Sequence, residues 1–227
     1  KLLDIKHPTY TEKVRKFISS PILTSINKRI NDSICLPNSG YIYIRNRILF
    51  VLHEGGGGVI KTTLELHNEI SDQFEIFVLT SNASELKLKL FDKGKYTDLI
   101  SWPLKVRWSI KDFNDESFAK IYRAVLIGLN PDVVHIRSLF KHTFDILELC
   151  LQLNYPTIIS FHDFYLINPS VQLLTEDLHF CPHLQESAKI EKWYNPSPLM
   201  KDTIFDKEFC VSWKDKIQSL LSKVAVF

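Results

Sequence analysis

Glycine is scarce in this chain, with seven among 227 residues. Four of the seven are consecutive, Gly55 to Gly58, so a chain that avoids glycine elsewhere has gathered it where the backbone needs freedom. Cysteine is also sparse. Cys35, Cys150, Cys181 and Cys210 stand far apart with no C-x-x-C pair, which excludes a disulfide scaffold and suits a reducing compartment. No apolar run reaches the ~18 to 20 residues of a membrane span. The first residues, KLLDIKHPTYTEKVRKF, lack the long apolar core of a secretory signal. A cytoplasmic location is therefore expected, with the cytoplasmic face of a membrane as a second setting. Neither sign of charge dominates, at 28 Lys and Arg against 26 Asp and Glu, so no nucleic-acid partner is called for.

What is present is the composition of an α/β protein. Residues 1–46 read as an extension or linker: Val14 to Ile30 has roughly helical apolar spacing broken at Pro21, and NDSICLPNSG reads as loop. Its cations Lys13, Arg15, Lys16, Lys28 and Arg29 suit either peripheral contact with an anionic membrane or a solvated helix face. Residues 47–227 are more regular. Ile48 to Leu52 is a short apolar run of the type buried on both faces of a parallel sheet, followed by the glycines, a helix to about Ile70 and a strand over Phe74 to Leu79. Leu86 to Phe91 alternates Leu and Lys, which predicts an exposed or edge strand, and Thr97 to Leu104 offers another. Asn114, Asp115 and Glu116 mark a helix start, with the helix ending before Pro131.

Further strands are expected over Asp132 to Ile136 and Thr157 to Phe161, with helices over Thr143 to Leu153 and Trp213 to Ser222. Residues 164 to about 210 read as a loop-rich excursion, and KVAVF as the start of a strand, which points to a natural chain continuing past Phe227. Alternating strands and helices with tight connections predict a Rossmann-like, doubly wound parallel sheet, whose ligands sit at the carboxyl ends of the strands.

Three clusters fall at such ends. The glycine run could bring free N–H groups against a phosphate or another anion at a helix start, or serve only as a tight turn. It matches neither G-x-x-x-x-G-K-[ST] nor a full G-x-G-x-x-G, and no acidic residue ends the second strand, which disfavours a dinucleotide. His135 and Arg137 alternate with Ile136, so both could face one side; Arg137 could clamp an anion or sit in a surface salt bridge. His162 and Asp163 leave a buried strand directly into a loop, where they could address a sugar or merely cap the turn. Cys181, His179 and His183 have no complementary pair at zinc spacing, and Cys210 is alone, so no metal is expected.

Taken together, RILFVLHEGGGGV, PDVVHIRS and PTIISFHDFYLINP resemble the amino-terminal half of GT-B glycosyltransferases of the family 4 type. The residues His162 to Pro169 follow that family's H-D-[YF]-x-x-[IL]-x-P, with Asn168 where the family often has Cys. The resemblance spans roughly residues 47 to 227 and implies retaining transfer of a sugar from a nucleotide-sugar to a glycan or lipid-linked acceptor, without a metal or other cofactor. It implies that Gly56, Gly57 and Gly58, with Asp163, bind the donor phosphate and sugar. His162 would be the catalytic contact near the reacting carbon, and His135 and Arg137 would face the acceptor. The family's carboxyl-terminal domain, which carries most nucleotide contacts and an E-x7-E motif, is missing from these residues, so this chain alone is expected to be inactive. A non-catalytic Rossmann-like module that binds a nucleotide or glycan is the alternative.

Overall fold

In the computed structural model, the described residues are 46–55, 57–169, 171, 173–174, 178–180 and 207–224. The extension expected over residues 1–46 lies outside them except for Asn46, as do Gly56, Cys181, His183 and the expected strand at 225–227.

The first strand, β1 (Asn46–His53), is the axis of the fold. Its apolar run buries both faces. Leu49 and Val51 join one core, and Phe50 and Leu52 join a second core on the opposite side of the sheet. Each such side chain contributes about 1.5 to 3 kcal/mol on burial, so a one-residue slip in register would be strongly disfavoured. Helix α1 (Gly58–Ile70) follows the glycines and packs Ile60, Leu64, Leu66 and Ile70 on the Phe50 side. The chain then enters β2 (Phe74–Ser81), parallel to β1.

The next strand reverses direction and the one after it turns back. Strands β3 (Glu85–Asp92) and β4 (Lys95–Pro103) form a hairpin, β3 antiparallel to β2 and β4 antiparallel to β3, turning at Lys93 and Gly94. Both turn residues have positive φ, 47° and 78°, the requirement of a two-residue turn matched to strand twist. The Leu/Lys alternation therefore marks a one-sided interior strand and not an edge: Leu86 and Leu88 are buried, and β4 is the edge. Lysines on the other face remain available, and Lys89 uses that position to reach the glycine loop.

Helix α2 (Glu116–Leu129) starts at Asp115, whose carboxylate accepts from the N–H groups of Ser117 and Phe118 at 2.8 and 3.2 Å. Strand β5 (Val133–Ile136), helix α3 (Asp145–Gln152) and strand β6 (Thr157–Ile159) complete the sheet, and α4 (Lys207–Leu221) packs Trp213, Ile217 and Leu220 into the larger core. The observed β6 is shorter than expected, ending two residues before Phe161, and α4 begins earlier than expected.

The strand order is β4-β3-β2-β1-β5-β6, and β2, β1, β5 and β6 run parallel. The Rossmann-like α/β architecture thus stands, with an antiparallel hairpin closing one side. From β1 the chain moves outward to β2 and later returns to β5 on β1's other flank. The reversal opens a crevice between the carboxyl ends of β1 and β5, where such sheets bind ligands. Among the described residues, no helix is long and apolar enough to cross a membrane.

Candidate functional site

The three sequence clusters follow the carboxyl ends of β1, β5 and β6. The glycine run leaves β1 through His53 and Glu54, and Gly57 takes φ 123°, a backbone setting that favours glycine. Gly57 caps α1 without any side-chain hydrogen bond, and the first turn of α1 contains no acidic residue. The amides of that turn therefore lack both an intrahelical partner and a resident negative charge. A Cβ built on Gly57 or Gly58 would meet nothing within 4 Å, so the space in front of the turn is open.

Arg137 lies just past β5 and is 7% exposed. Its Nε donates to Thr63 Oγ1 at 3.2 Å, Nη2 to Thr62 Oγ1 at 3.0 Å and Nη1 to Ser160 Oγ at 3.5 Å. All three acceptors are neutral hydroxyls. Among the described residues no carboxylate forms an ion pair with this guanidinium, so the salt-bridge alternative is not the one the fold adopts. Three of its five N–H groups are thereby used, leaving two for something else. Burial lowers the Arg137 pKa without approaching neutrality at ordinary pH.

His135 does share a side with Arg137, as the alternation suggested, since both reach Ser160. Its Nε2 stands 2.7 Å from Ser160 Oγ, and its ring packs 5.0 Å from that of Phe50. Burial first, then the nearby Arg137 and His162, hold its pKa down at about 4. It is therefore a neutral, half-buried imidazole at pH 7.

His162 is exposed on the loop after β6, and Asp163 beside it is half-buried. Asp163 Oδ1 accepts from the Tyr165 N–H at 2.9 Å, fixing the turn that opens HDFYLINP. Burial raises the Asp163 pKa, opposed by that hydrogen bond and by His162. The His162 pKa is lowered, by burial first and then by Arg137, while Asp163 pulls the other way. Arg137, Ser138, Ser160, His162, Asp163 and Tyr165 line one cleft between the ends of β5 and β6. The structure therefore brings together Arg137, His162 and Asp163 in one cleft, and ties Arg137 to the helix after the glycines through Thr62 and Thr63. Gly56 lies outside the described residues.

Several contributors have weak sequence signals. Thr62 and Thr63 anchor Arg137 from the helix after the glycines, and Ser160 couples Arg137 to His135; nothing but position marks them. His53 holds Ser138 Oγ at 3.0 Å through Nδ1, and burial, with Lys141 nearby, lowers its pKa to about 4. Glu54 is tied by its carboxylate to Thr80 at 3.0 Å and Lys89 at 2.9 Å. Burial pushes the Glu54 pKa up, but Lys89 and Thr80 outweigh it and the net shift is downward. Among the described residues no group of three or more His, Cys, Asp or Glu is placed to hold a metal ion. His179 is exposed, and Cys210 is buried on α4.

No curated protein matches this chain. Among solved structures, a secreted C11 cysteine protease from Bacteroides thetaiotaomicron, in complex with an irreversible peptide inhibitor, is 12% identical. That alignment covers 41% of this chain and 28% of the protease at a TM-score of 0.26, little more than a quarter of the protease's length. The family comparison reaches further. Residues 56–197, well over half of the 227, match the family model described as Glycosyltransferase Family 4, and the chain belongs to that family.

Proposed function

We propose that residues 47–227 form the acceptor-side domain of a retaining, nucleotide-sugar-dependent glycosyltransferase of glycan or polysaccharide assembly. In this reading a carboxyl-terminal domain supplies most nucleotide contacts, and these residues alone turn over nothing. The acceptor is a glycan or a lipid-linked glycan, met in the cytoplasm or at a membrane's cytoplasmic face, where the cations of residues 1–46 would give peripheral contact. The observation that carries the reading is the buried Arg137 cation. It has no carboxylate partner among the described residues, and it bonds Thr62 and Thr63 in the second turn of a helix whose amino terminus is uncapped and free of acid. Such an arrangement is costly in an empty protein and favourable around an anion.

The chemistry then follows from charge. Transfer breaks the bond between the sugar's anomeric carbon and the diphosphate oxygen, which leaves with the electron pair. The acceptor hydroxyl forms the new bond to that carbon and passes its proton to the departing diphosphate oxygen. Orphan amides at Gly57 and Gly58 meet the charge that grows on the departing diphosphate, as a preorganised environment. The two free N–H groups of Arg137 face the anionic part of the bound substrates from the β5 side. His162, exposed and beside Asp163, addresses the hydroxyls of the transferred sugar near the reacting carbon. Asp163 sets the turn that presents it. We assign His135 to holding Ser160 and Arg137 in place on the acceptor side, since its Nε2 is already engaged. The reading calls for no cofactor beyond the nucleotide-sugar co-substrate.

The test is nucleotide release by the complete natural chain across a panel of UDP-, GDP-, ADP- and dTDP-sugars, beside His162→Ala. Sugar-dependent release that collapses in the variant supports the transferase. Nucleotide or glycan binding without release, acceptors included, would leave a non-catalytic binding module as the better description. Equal turnover by both proteins would remove His162 from the site.

A further inference from the structure

We propose that Lys141 is a positioning residue that sets the entry of the glycine loop; this rests on the reading of that loop as the turn that binds the donor diphosphate. Lys141 follows β5 by five residues and holds φ at 64°, in the left-handed region that side-chain-bearing residues avoid. Glycine or asparagine would occupy such a corner at lower cost. A lysine kept there is accounted for by what its side chain does.

That side chain crosses to the other strand end. Its Nζ donates to the main-chain carbonyl of Glu54 at 2.8 Å, immediately before the first glycine. The stem passes Phe140, with Nζ 5.6 Å from the ring centroid, and the carbonyl of Lys141 accepts from Ser81 Oγ at 2.6 Å. Both ends of the residue are therefore fixed. Glu54 is fixed as well: its N–H donates to the Ser81 carbonyl at 2.7 Å, and its carboxylate is held by Thr80 and Lys89.

The consequence for the loop comes from peptide geometry. In a planar trans peptide the C=O and the following N–H point in opposite directions. Holding the Glu54 carbonyl on Lys141 thus dictates where the Gly55 N–H points, at the first residue of a run with little conformational preference of its own. Arg137, four residues earlier on the same connection, bonds Thr62 and Thr63 on the helix that follows the run. The segment after β5 therefore sends one cation to the entry of the glycine loop and one to the helix that follows it.

The experiment uses the complete natural chain and the variants Lys141→Gly, Lys141→Met and Lys141→Arg. Lys141→Gly removes the side chain while relaxing the backbone, so it separates loss of the contact from loss of the fold. With whichever nucleotide-sugar the wild type uses, kcat should fall about tenfold or more in Lys141→Gly and Lys141→Met. The melting temperature of Lys141→Gly should not fall, and Lys141→Arg should recover part of kcat. Affinity for inorganic pyrophosphate by calorimetry should weaken in parallel. Wild-type kcat and pyrophosphate affinity in folded Lys141→Gly would overturn the assignment, as would losses that merely track melting temperature with no rescue by arginine. A wild type that binds pyrophosphate but turns over no sugar donor would count against the transferase reading alone, and the pyrophosphate comparison would still decide Lys141. Absence of both activities in the wild type would overturn both.

Discussion

The Tyr122 hydroxyl and Nδ1 of His142 are 3.0 Å apart in the middle of the larger core, both fully buried. His142 Nε2 lies 3.0 Å from the Leu52 carbonyl, which can only accept. Nε2 therefore carries the proton, Nδ1 is the acceptor, and Tyr122 donates to it. The neutral imidazole ties α2, through Tyr122, to the end of β1. Burial drives its pKa from the usual 6.5 to about 4; the Leu52 carbonyl opposes the shift, and His53 and Lys141 add to it.

Stability should therefore decline in mildly acidic solution, before most carboxylates titrate. His53, His135 and His142 have pKa values of about 4 in the folded chain, and His67 about 3, each lowered chiefly by burial. A histidine with a depressed folded pKa contributes stability that is fully present above 6.5 and is lost as pH falls toward the folded value. For His142 that difference is on the order of 3 kcal/mol, at about 1.4 kcal/mol per pKa unit. Asp163, whose pKa is raised, works in the opposite direction but is a single group. Urea unfolding followed at about pH 7, 5.5 and 4.5 should show a midpoint that falls steadily across the series. A midpoint flat to about pH 4.5 would show that these rings are accessible to protons in the native state.

Arg137→Met should separate stability from ligand binding. Removing a buried side chain normally leaves orphaned partners, but here it does not. Thr62 Oγ1 also donates to the Gly58 and Val59 carbonyls at 3.0 and 3.2 Å, Thr63 Oγ1 donates to the Val59 carbonyl at 2.6 Å, and Ser160 keeps His135. An unneutralised charge leaves the interior at the same time. The stability change is expected within about 1 kcal/mol of zero, with either sign. Pyrophosphate affinity should nevertheless fall about tenfold or more, a ratio readable by calorimetry on the complete chain. A large loss of stability with unchanged affinity would make Arg137 a structural strut.

How much of this could be read from residues alone depended on whether the signal was local. Burial on both faces shows directly in Ile48 to Leu52, and the start of α2 shows in its acidic residues, although Asp115 makes the cap and Asn114 instead bonds Asp145 and Glu148. The β3–β4 pair was harder. Period-two alternation reports one buried face but not the neighbours on either side, so an interior antiparallel strand and an edge strand look alike until pairing is known. The site divides in the same way. Arg137, His162 and Asp163 stand out because polar residues follow apolar strands, whereas Ser160, Thr62 and Lys141 acquire their roles only from neighbours 20 to 90 positions distant. His135 adds a contact its position did not advertise: one of its two ring nitrogens, Nε2, is engaged with Ser160.

Gly57 and Gly58 should respond oppositely to alanine in stability and alike in function. Gly57 has φ 123°, so Gly57→Ala forces a side chain into strained backbone and should cost about 1 to 3 kcal/mol, although its Cβ would clash with nothing. Gly58 is the first residue of α1 with no positive φ, and its Cβ would also enter open space. There alanine improves helix propensity, and Gly58→Ala should be neutral or stabilising by up to about 1 kcal/mol. If the open space in front of the turn belongs to a bound diphosphate, the added methyl of Gly58→Ala must still compete with it. Denaturant midpoints and donor turnover measured on the same preparations separate the two effects. A Gly58→Ala protein at least as stable as wild type but several-fold slower would place the ligand against this turn. Full activity in that protein would put the diphosphate elsewhere in the crevice and leave the glycines as chain geometry.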